Sequence, residues 1–174
     1  QLCGILEKRM IRSKSGSTSS ISFSSVVQAY RGPPVQKVDG FDLKGDELFA
    51  PDPQVLDDDP ERIIRIFRHA QRLSAKLAPG LRSLVRNRLS LIDASLINST
   101  SANVTFRSIL QEIGNVSPTL CEMHELGVLG RFVPEFGRLS CKVQHDLYHR
   151  FTADIHVLHY ITILDEVFQG KKSR

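Results

Sequence analysis

Histidine is concentrated in the last third of this chain. Five of its six histidines lie between His124 and His159. Histidine titrates near neutral pH and is costly to bury in an apolar core, so packing alone is a poor explanation for this density. Neutral imidazole is also a common metal ligand. The segment therefore indicates a chemical role, and metal binding is the first candidate.

One arrangement would place a zinc site on a single helix. Cys141, His145 and His149 are spaced four residues apart. Residues at this spacing drift slowly around a helix axis, so at most two of them could bind one ion well, and His156 or His159 would have to complete the site. The spacing matches no common zinc pattern. A zinc site therefore stays a minor alternative.

Two ordered runs surround these histidines. Gly127–Arg138 reads Gly-Val-Leu-Gly-Arg-Phe-Val-Pro-Glu-Phe-Gly-Arg, and Gln144–Leu158 reads Gln-His-Asp-Leu-Tyr-His-Arg-Phe-Thr-Ala-Asp-Ile-His-Val-Leu. Together they resemble the bifunctional uridylyltransferase/uridylyl-removing enzymes that modify the PII nitrogen-signalling protein, and the resemblance extends from about Val38 to Phe168. It implies a parent bacterial enzyme with two catalytic domains followed by regulatory domains. A nucleotidyltransferase domain transfers UMP from UTP to a tyrosine of PII, an HD-type metal-dependent phosphohydrolase removes it, and C-terminal domains bind glutamine.

The resemblance gives His156 a specific role. In this family the first metal-binding histidine of the HD site belongs to a Thr-x-Asp-x-His-x-Leu run, here Thr152–Leu158. Imidazole suits Mn²⁺, Fe²⁺ or Zn²⁺, and carboxylate supplies a bridging oxygen. Two such metals can activate water against a phosphodiester. The pair His145-Asp146 spells the HD dyad but precedes His156, whereas the family's dyad follows it. We interpret this pair as a structural element beneath the metal helix.

The same resemblance implies what this chain does not contain. A transferase site needs Gly-Ser followed shortly by an Asp-x-Asp pair for Mg²⁺. Gly16-Ser17 lacks that pair, so we interpret Ser13–Ser25 as a serine-rich linker. The HD dyad is expected beyond Arg174. The parent enzyme would use Mg²⁺ or Mn²⁺, but this chain alone is expected to bind no cofactor and to catalyse neither reaction.

Other polar patterns have simpler explanations. The run Asp57-Asp58-Asp59 could bind a metal, but Asp59 followed by Pro60 is typical of a capped helix start. His124-Glu125 begins like a zincin motif, yet Val128 stands where the second histidine is required. His69 and His124 have no partner at a recognisable spacing, so surface or core-edge positions are predicted for both.

The elements that would position these residues are mostly helices. Helical periodicity begins at Pro60, and short loops between amphipathic helices predict a compact bundle. The predicted helices are Pro60–Leu77, Leu81–Ile97, Val104–Ile113, Ser117–Leu126, Cys141–His149 and Thr152–Phe168, the last closed by Gly170.

Three further segments complete this prediction. Val38–Phe49 is typical of a β-hairpin. A predicted turn is punctuated by Gly127, Gly130, Pro134 and Gly137. Arg131–Ser140 is predicted as an extended loop that Phe132, Val133 and Phe136 attach to the bundle. The predicted fold class is mainly α: a helical bundle with a small N-terminal β-hairpin and an irregular serine-rich N-terminal segment.

Composition limits the remaining possibilities. The 174 residues are 41% apolar and 24% charged with a net charge of +4, which is ordinary for a globular protein and mild for a nucleic-acid binder. No run is long and apolar enough to span a membrane. Three widely spaced cysteines favour a reducing cytoplasm. The start at Gln1 lacks a signal-peptide pattern, which indicates a chain excised from a longer protein.

We predict three regions: the end of the transferase region with the hairpin at 1–50, a helical domain at 51–140, and the start of an HD domain at 141–174. The expected partners of the parent are PII, UTP and glutamine, with no nucleic acid and no membrane. Apolar surface left exposed could support a homodimer.

Two alternative functions stay open. The chain could belong to an HD-type hydrolase of other nucleotides, such as guanosine polyphosphates. It could also be a helical interaction module that binds an acidic partner, or more weakly RNA, through Arg82, Arg86 and Arg88.

Overall fold

The computed structural model describes residues 34–140 and 152–171. These belong to the second of two units into which the chain divides, Pro34–Arg174. The linker Ser13–Ser25 and the helix at Cys141–His149 lie outside the described residues. So do the pair His145-Asp146 and the zinc alternative built on Cys141, His145 and His149.

A small sheet precedes the helices. Its strands are β1 (Val35–Val38), β2 (Phe41–Lys44), β3 (Glu47–Phe49) and β4 (Lys76–Leu77), in that spatial order. The first three are antiparallel, and β4 pairs in parallel with β3. The hairpin formed by β2 and β3 confirms the prediction for this segment. Phe41 and Leu48 are fully buried and attach the sheet to the helices.

Helices make up most of the rest, so the predicted fold class is confirmed for the described residues. The helices are α1 (Val55–Asp58), α2 (Arg62–Leu73), α3 (Pro79–Asn87), α4 (Ala94–Ile97), α5 (Thr100–Leu110), α6 (Ser117–Glu125), α7 (Val128–Phe132), α8 (Pro134–Ser140) and α9 (Ala153–Phe168), with a 3₁₀ turn at Leu89–Leu91. Within the described ranges, no helix has the length and hydropathy needed to cross a membrane.

One apolar cluster joins these elements. The stripe Ile63, Ile64 and Phe67 on α2 is fully buried, as the 3.6-residue period predicts. Helix α2 packs on α5 and α6, and α6 packs in turn on α7 and α9. The predicted inward face of α6, made by Leu120 and Met123 and continued by Leu126 at its C-cap, is confirmed.

Two helix boundaries differ from the prediction. The Asp59 carboxylate accepts from the Glu61 amide at 3.2 Å, as the predicted cap requires. Helix α2 nevertheless begins at Arg62, because the amides of Arg62 and Ile63 bond to carbonyls three residues back, which is a tighter turn than the α-helix. It ends at Leu73, where Ser74 adopts a left-handed conformation with φ 50°. Leu77 therefore lies in β4 and not in the helix.

The single helix predicted for Leu81–Ile97 is also wrong. Helix α3 ends at Asn87, and α4 begins anew at Ala94. The Asp93 carboxylate accepts from the Leu96 amide at 2.9 Å, which caps α4. Aspartate competes with the helix backbone in this way and favours a new start over a continuous helix.

The apolar positions of α5 are only partly buried. Ser99 caps the helix by accepting from the Ala102 amide at 3.3 Å, and the helix ends at Leu110 and not at the predicted Ile113. Ile109 is fully buried as expected, but Val104, Leu110 and Ile113 are 58%, 44% and 75% exposed. The inward face of α5 is made by Ile109 and the small residue Ala102.

The extended loop predicted at Arg131–Ser140 is wrong, since α7 and α8 occupy this segment. Gly130 and Gly137 suggested turns, but their role is close packing. A Cβ on Gly137 would lie 3.3 Å from the Cα of Gly130 and closer still to its carbonyl oxygen. The two glycines therefore let α7 and α8 approach through their backbones, while Phe132 is buried below them.

Replacing Gly137 by Ala should therefore destabilise the fold. The new methyl group collides with the Gly130 backbone, which has no flexible side chain that could move. We expect the free energy of unfolding to fall by about 1–3 kcal/mol, measured by urea denaturation. Gly80→Ala is the matched control, because that helical glycine has open space around its Cα. An equal loss in both variants would contradict the close-packing role.

Candidate functional site

Helix α9 carries His156 and is the element on which the candidate site is built. Thr152 is its N-cap, as predicted, and its last residue is Phe168. Three residues on one side are buried: Asp154 at 3%, Leu158 at 5% and Asp165 at 6% exposure. Two of them are acidic, so their burial needs specific partners.

Asp165 finds those partners at the start of α6. One of its carboxylate oxygens accepts from the backbone amides of Val116 at 2.8 Å and Ser117 at 2.6 Å. Amides at a helix N-terminus have no partner within the helix, and the helix dipole favours a negative charge there. Asp165 thus caps α6 from a different helix and fixes α9 against it.

Two further contacts hold the same junction. The Thr162 hydroxyl donates to the Leu158 carbonyl at 3.0 Å, so the Ser117 hydroxyl, 2.6 Å away, donates to Thr162. The Gln169 amide donates to the carbonyl of Gly114. The C-terminal half of α9 is therefore tied by polar contacts to the turn that leads into α6.

The N-terminal half of α9 is positioned by a contact between His124 and Asp154. His124 Nε2 on α6 lies 3.4 Å from Asp154 Oδ2, and the Asp154 side chain is only 5% exposed. The His124 ring also contacts the edge of Phe136 on α8, with ring centroids 5.7 Å apart. No partner for His124 could be recognised from residue spacing. The available signal was Asp154 itself, an acid in the ordered run two residues before His156.

His156 is half-buried on α9, two residues after Asp154. Two helical residues at this separation lie about 200° apart around the axis, so Asp154 and His156 are on different sides of the helix. Imidazole is a ligand that divalent transition metals accept. The described ranges bring together no group of three His, Cys, Asp or Glu side chains that could hold a metal ion. A metal role for His156 therefore stays a prediction and needs ligands from elsewhere.

His69 belongs to a separate charge cluster next to the sheet. Asp39, in the β1–β2 turn, accepts from Arg65 at 2.7 Å and 3.0 Å and lies 3.2 Å from His69 Nε2. Arg65 also binds Asp59 at 2.6 Å. Burial favours a higher pKa for Asp39, but hydrogen bonds and positive charge from Arg65 and His69 outweigh it and lower the pKa. This cluster joins the sheet to α2.

The lowered pKa of Asp39 gives a testable pH dependence. A carboxyl with a depressed folded-state pKa stabilises the fold fully above its unfolded pKa of about 3.9, and the stabilisation is lost as pH falls through the folded value. Asp39→Asn, which keeps the left-handed turn residue, should lower the free energy of unfolding by about 2 kcal/mol at pH 5. The difference from wild type should shrink below pH of about 4.

Urea denaturation at several pH values measures this difference. The exposed acid Asp58, replaced by Asn, is the control and should show almost no change. A wild-type-to-D39N difference that grows towards acid pH would contradict the assignment.

The three arginines of the interaction-module alternative are mostly engaged within the fold. Arg82 binds Glu122 at 2.6 Å and Glu125 at 2.9 Å, and Arg88 binds Asp57 at 2.8 Å. Burial and the neighbouring Glu125 raise the pKa of Glu122 despite Arg82. Arg86 is exposed. These pairs leave little free positive charge for an acidic partner, and Asp57 and Asp59 serve as arginine partners.

Comparison with known proteins adds the family context. The sequence profile of the family described as "Uridylyltransferase GlnD third domain" matches residues 41–132, just over half of the chain. Three similar curated proteins are named bifunctional uridylyltransferase/uridylyl-removing enzyme. That of Novosphingobium aromaticivorans is 33% identical over 136 residues, covering 78% of this chain and 15% of the relative.

Two other relatives agree. The enzyme of Azospirillum brasilense is 34% identical over 134 residues, with 77% of this chain and 14% of the relative covered. The enzyme of Rhodopseudomonas palustris is 36% identical over 136 residues, which cover 78% of this chain and 14% of the relative. The chain thus spans about a seventh of the length of these relatives.

Proposed function

Since this chain belongs to the GlnD uridylyltransferase family, we propose that it forms the helical third-domain region of a bifunctional uridylyltransferase/uridylyl-removing enzyme together with the first helix of the removing domain. The observation that carries this proposal is the set of contacts that hold α9 against α6. A helix with the Thr152–Leu158 run is fixed by Asp165 and Asp154 to α6, which lies within the matched family region.

The proposed activity is that of the complete enzyme. It transfers UMP from UTP to a tyrosine of PII when glutamine is scarce and hydrolyses the same linkage when glutamine is abundant, in the cytoplasm and with Mg²⁺ or Mn²⁺. The names of the relatives and the two ordered sequence runs support this proposal.

Within that enzyme, we assign His156 as the first metal ligand of the HD-type site. The metal, when bound, would supply a Lewis acid that lowers the pKa of water. The protein's contribution is to hold His156 in a fixed position. Asp165 and Thr162 fix the C-terminal half of α9, and the pair formed by His124 and Asp154 fixes its N-terminal half. His156 is therefore presented on a helix that cannot easily rotate or slide.

The isolated 174-residue chain should release no UMP from uridylylated PII. The described residues form no metal site with three ligands, and the transferase Gly-Ser/Asp-x-Asp set does not occur in the sequence. The assay would follow nucleotide release by chromatography in the presence of Mn²⁺, with a full-length relative as the positive control. Metal-dependent release by the 174-residue chain, at a rate proportional to its concentration, would contradict the proposal.

A further inference from the structure

A cavity of about 250 Å³ lies where the end of α2, the turn into β4 and the first half of α6 meet. Phe67, Ala70 and Pro118 supply apolar lining, and Thr119 and Glu122 supply polar groups. A concave site with apolar walls and a few polar groups is typical of a pocket that binds a small molecule. None of the described residues of α9 lines it, so this cavity is independent of the role of His156.

The hydroxyl of Thr119 is the first group in this lining that has no use within the fold. Thr119 is 8% exposed, and no hydrogen bond among the described residues involves its hydroxyl. A helical threonine can donate to the carbonyl four residues back, as Thr162 does to Leu158. The equivalent carbonyl for Thr119 is that of Asn115, which accepts from the Gln71 amide instead. Because a buried hydroxyl without a partner is unfavourable, we expect it to bond to a molecule in the cavity.

Glu122 provides the second unused group. Its Oε1 accepts from Arg82 at 2.6 Å, whereas no hydrogen bond within the described ranges uses Oε2. The side chain is 22% exposed, and burial raises its pKa despite the nearby Arg82. Arg82 also binds Glu125 at 2.9 Å, so one guanidinium serves two carboxylates. The charge of Glu122 is thus incompletely neutralised, and a cation beside Oε2 would stabilise it.

The other groups around the cavity favour a cation over an anion. Lys76, the one cationic residue of the described lining, has a side chain that is 79% exposed and lies 3.8 Å from Asp46. Both N–H groups of the Gln71 amide already donate to backbone carbonyls. The C-terminal end of α2 borders the cavity and carries the negative end of the helix dipole. The site therefore offers acceptors to a ligand and few free donors.

We propose that this cavity binds a primary ammonium group carried on a short apolar chain. Thr119 and Glu122 are three residues apart on α6, so their side chains lie on one face of the helix. The ammonium donates to Glu122 Oε2 and to the Thr119 hydroxyl oxygen, and the chain packs against Phe67 and Ala70. An ammonium has three N–H donors and no acceptor, which matches the two unused oxygens. The site is separate from both activities of the proposed function and does not depend on them.

Titration of the isotope-labelled 174-residue chain with n-butylamine tests the proposal. The amine is protonated at neutral pH, as the lysine side chain is. Backbone amide signals would be followed by nuclear magnetic resonance, and we expect saturable shifts at Ala75 and Thr119. A ligand of this size should bind with a Kd of the order of millimolar. The neutral alcohol n-butanol, which has the same chain length, should bind at least about tenfold more weakly.

Three variants on α6 assign the binding to the two oxygens. Glu122→Gln keeps an acceptor for Arg82 but removes the charge, and Thr119→Val replaces the hydroxyl by a methyl group of similar size. Each should weaken binding of n-butylamine at least about fivefold. Glu125→Gln is the matched control, because Glu125 shares Arg82 with Glu122 but does not line the cavity. Its Kd should stay within about twofold of wild type.

Two results would overturn the proposal. One is equal affinity for the amine and the alcohol, or shifts that do not saturate. The other is unchanged binding of the amine in both Glu122→Gln and Thr119→Val. The amide spectrum of each variant shows whether it is folded, and the comparison of amine with alcohol on the unchanged chain decides the question if a variant is not.

Discussion

Replacing His156 by Ala in the complete enzyme should abolish release of UMP from uridylylated PII while transfer of UMP to PII continues. Loss of a protein ligand from a catalytic metal site should lower the rate of removal at least about 100-fold, since even outer partners of metal ligands affect such sites by 10–100-fold. Under the proposed assignment, transfer uses a different domain, so its rate should stay within about twofold of wild type. Both reactions would be measured on one preparation.

His159→Ala is the control for this experiment. His159 lies three residues further along α9 and is exposed, so its loss tests the general effect of removing an imidazole from this helix. Both activities should survive. Retained removal in the His156 variant would contradict the ligand assignment. Loss of both activities, with an altered circular dichroism spectrum, would show that His156 has a structural role instead.

The second large effect is expected at Asp165. Replacing it by Ala leaves the amides of Val116 and Ser117 without their acceptor in a buried position, because Asp165 is 6% exposed. A lost hydrogen bond to a charged group costs about 1.5–3 kcal/mol, and unsatisfied buried donors add to that. We expect the free energy of unfolding of the 174-residue chain to fall by about 3 kcal/mol, measured by urea denaturation.

Two further variants separate the causes. Asp165→Asn keeps one carbonyl oxygen as acceptor but removes the charge. The free energy of unfolding should therefore fall less than in Asp165→Ala. Asp58→Ala removes an exposed acid and should change stability by less than about 0.5 kcal/mol. If Asp165→Ala lowered the free energy of unfolding as little as Asp58→Ala, the polar junction between α6 and α9 would not hold α9 in place.

Much of α9 and α6 could be predicted because their signals are local. Thr152 as N-cap, Phe168 as the last residue and Gly170 after it follow from capping chemistry and apolar period. The same holds for the stop of α6 at Gly127, whose φ is 79°. The β2–β3 hairpin also follows from alternation around a glycine turn. These features depend on residues within one or two turns of each other.

The contacts that hold α9 in place could not be predicted, because they join residues far apart in the chain. Asp165 binds amides 48 and 49 residues away, and His124 meets Asp154 across two helices. The residue type alone does not show whether an aspartate is buried or lies on the surface. Only the packing of α6 against α9 shows that each acid has a donor to bind.

Glycine was misinterpreted for a related physical reason. Gly130 and Gly137 suggested a loop, since glycine permits many backbone conformations. The same absence of a side chain also permits two helices to touch through their backbones, which is what α7 and α8 do. The arginines of α3 and of its C-cap gave a similar ambiguity. Arg82 and Arg88 looked free on a solvated face, and their acidic partners became visible only in the fold.

The central claim is that α9 presents His156 as a metal ligand of the uridylyl-removing site, and metal content tests it most directly. The complete protein and its His156→Ala variant would be loaded with Mn²⁺, freed of loosely bound metal, and analysed by elemental mass spectrometry, with His159→Ala as the control. The account predicts that His156→Ala retains less Mn²⁺ than wild type while His159→Ala retains the same amount. Equal Mn²⁺ in all three proteins would contradict it.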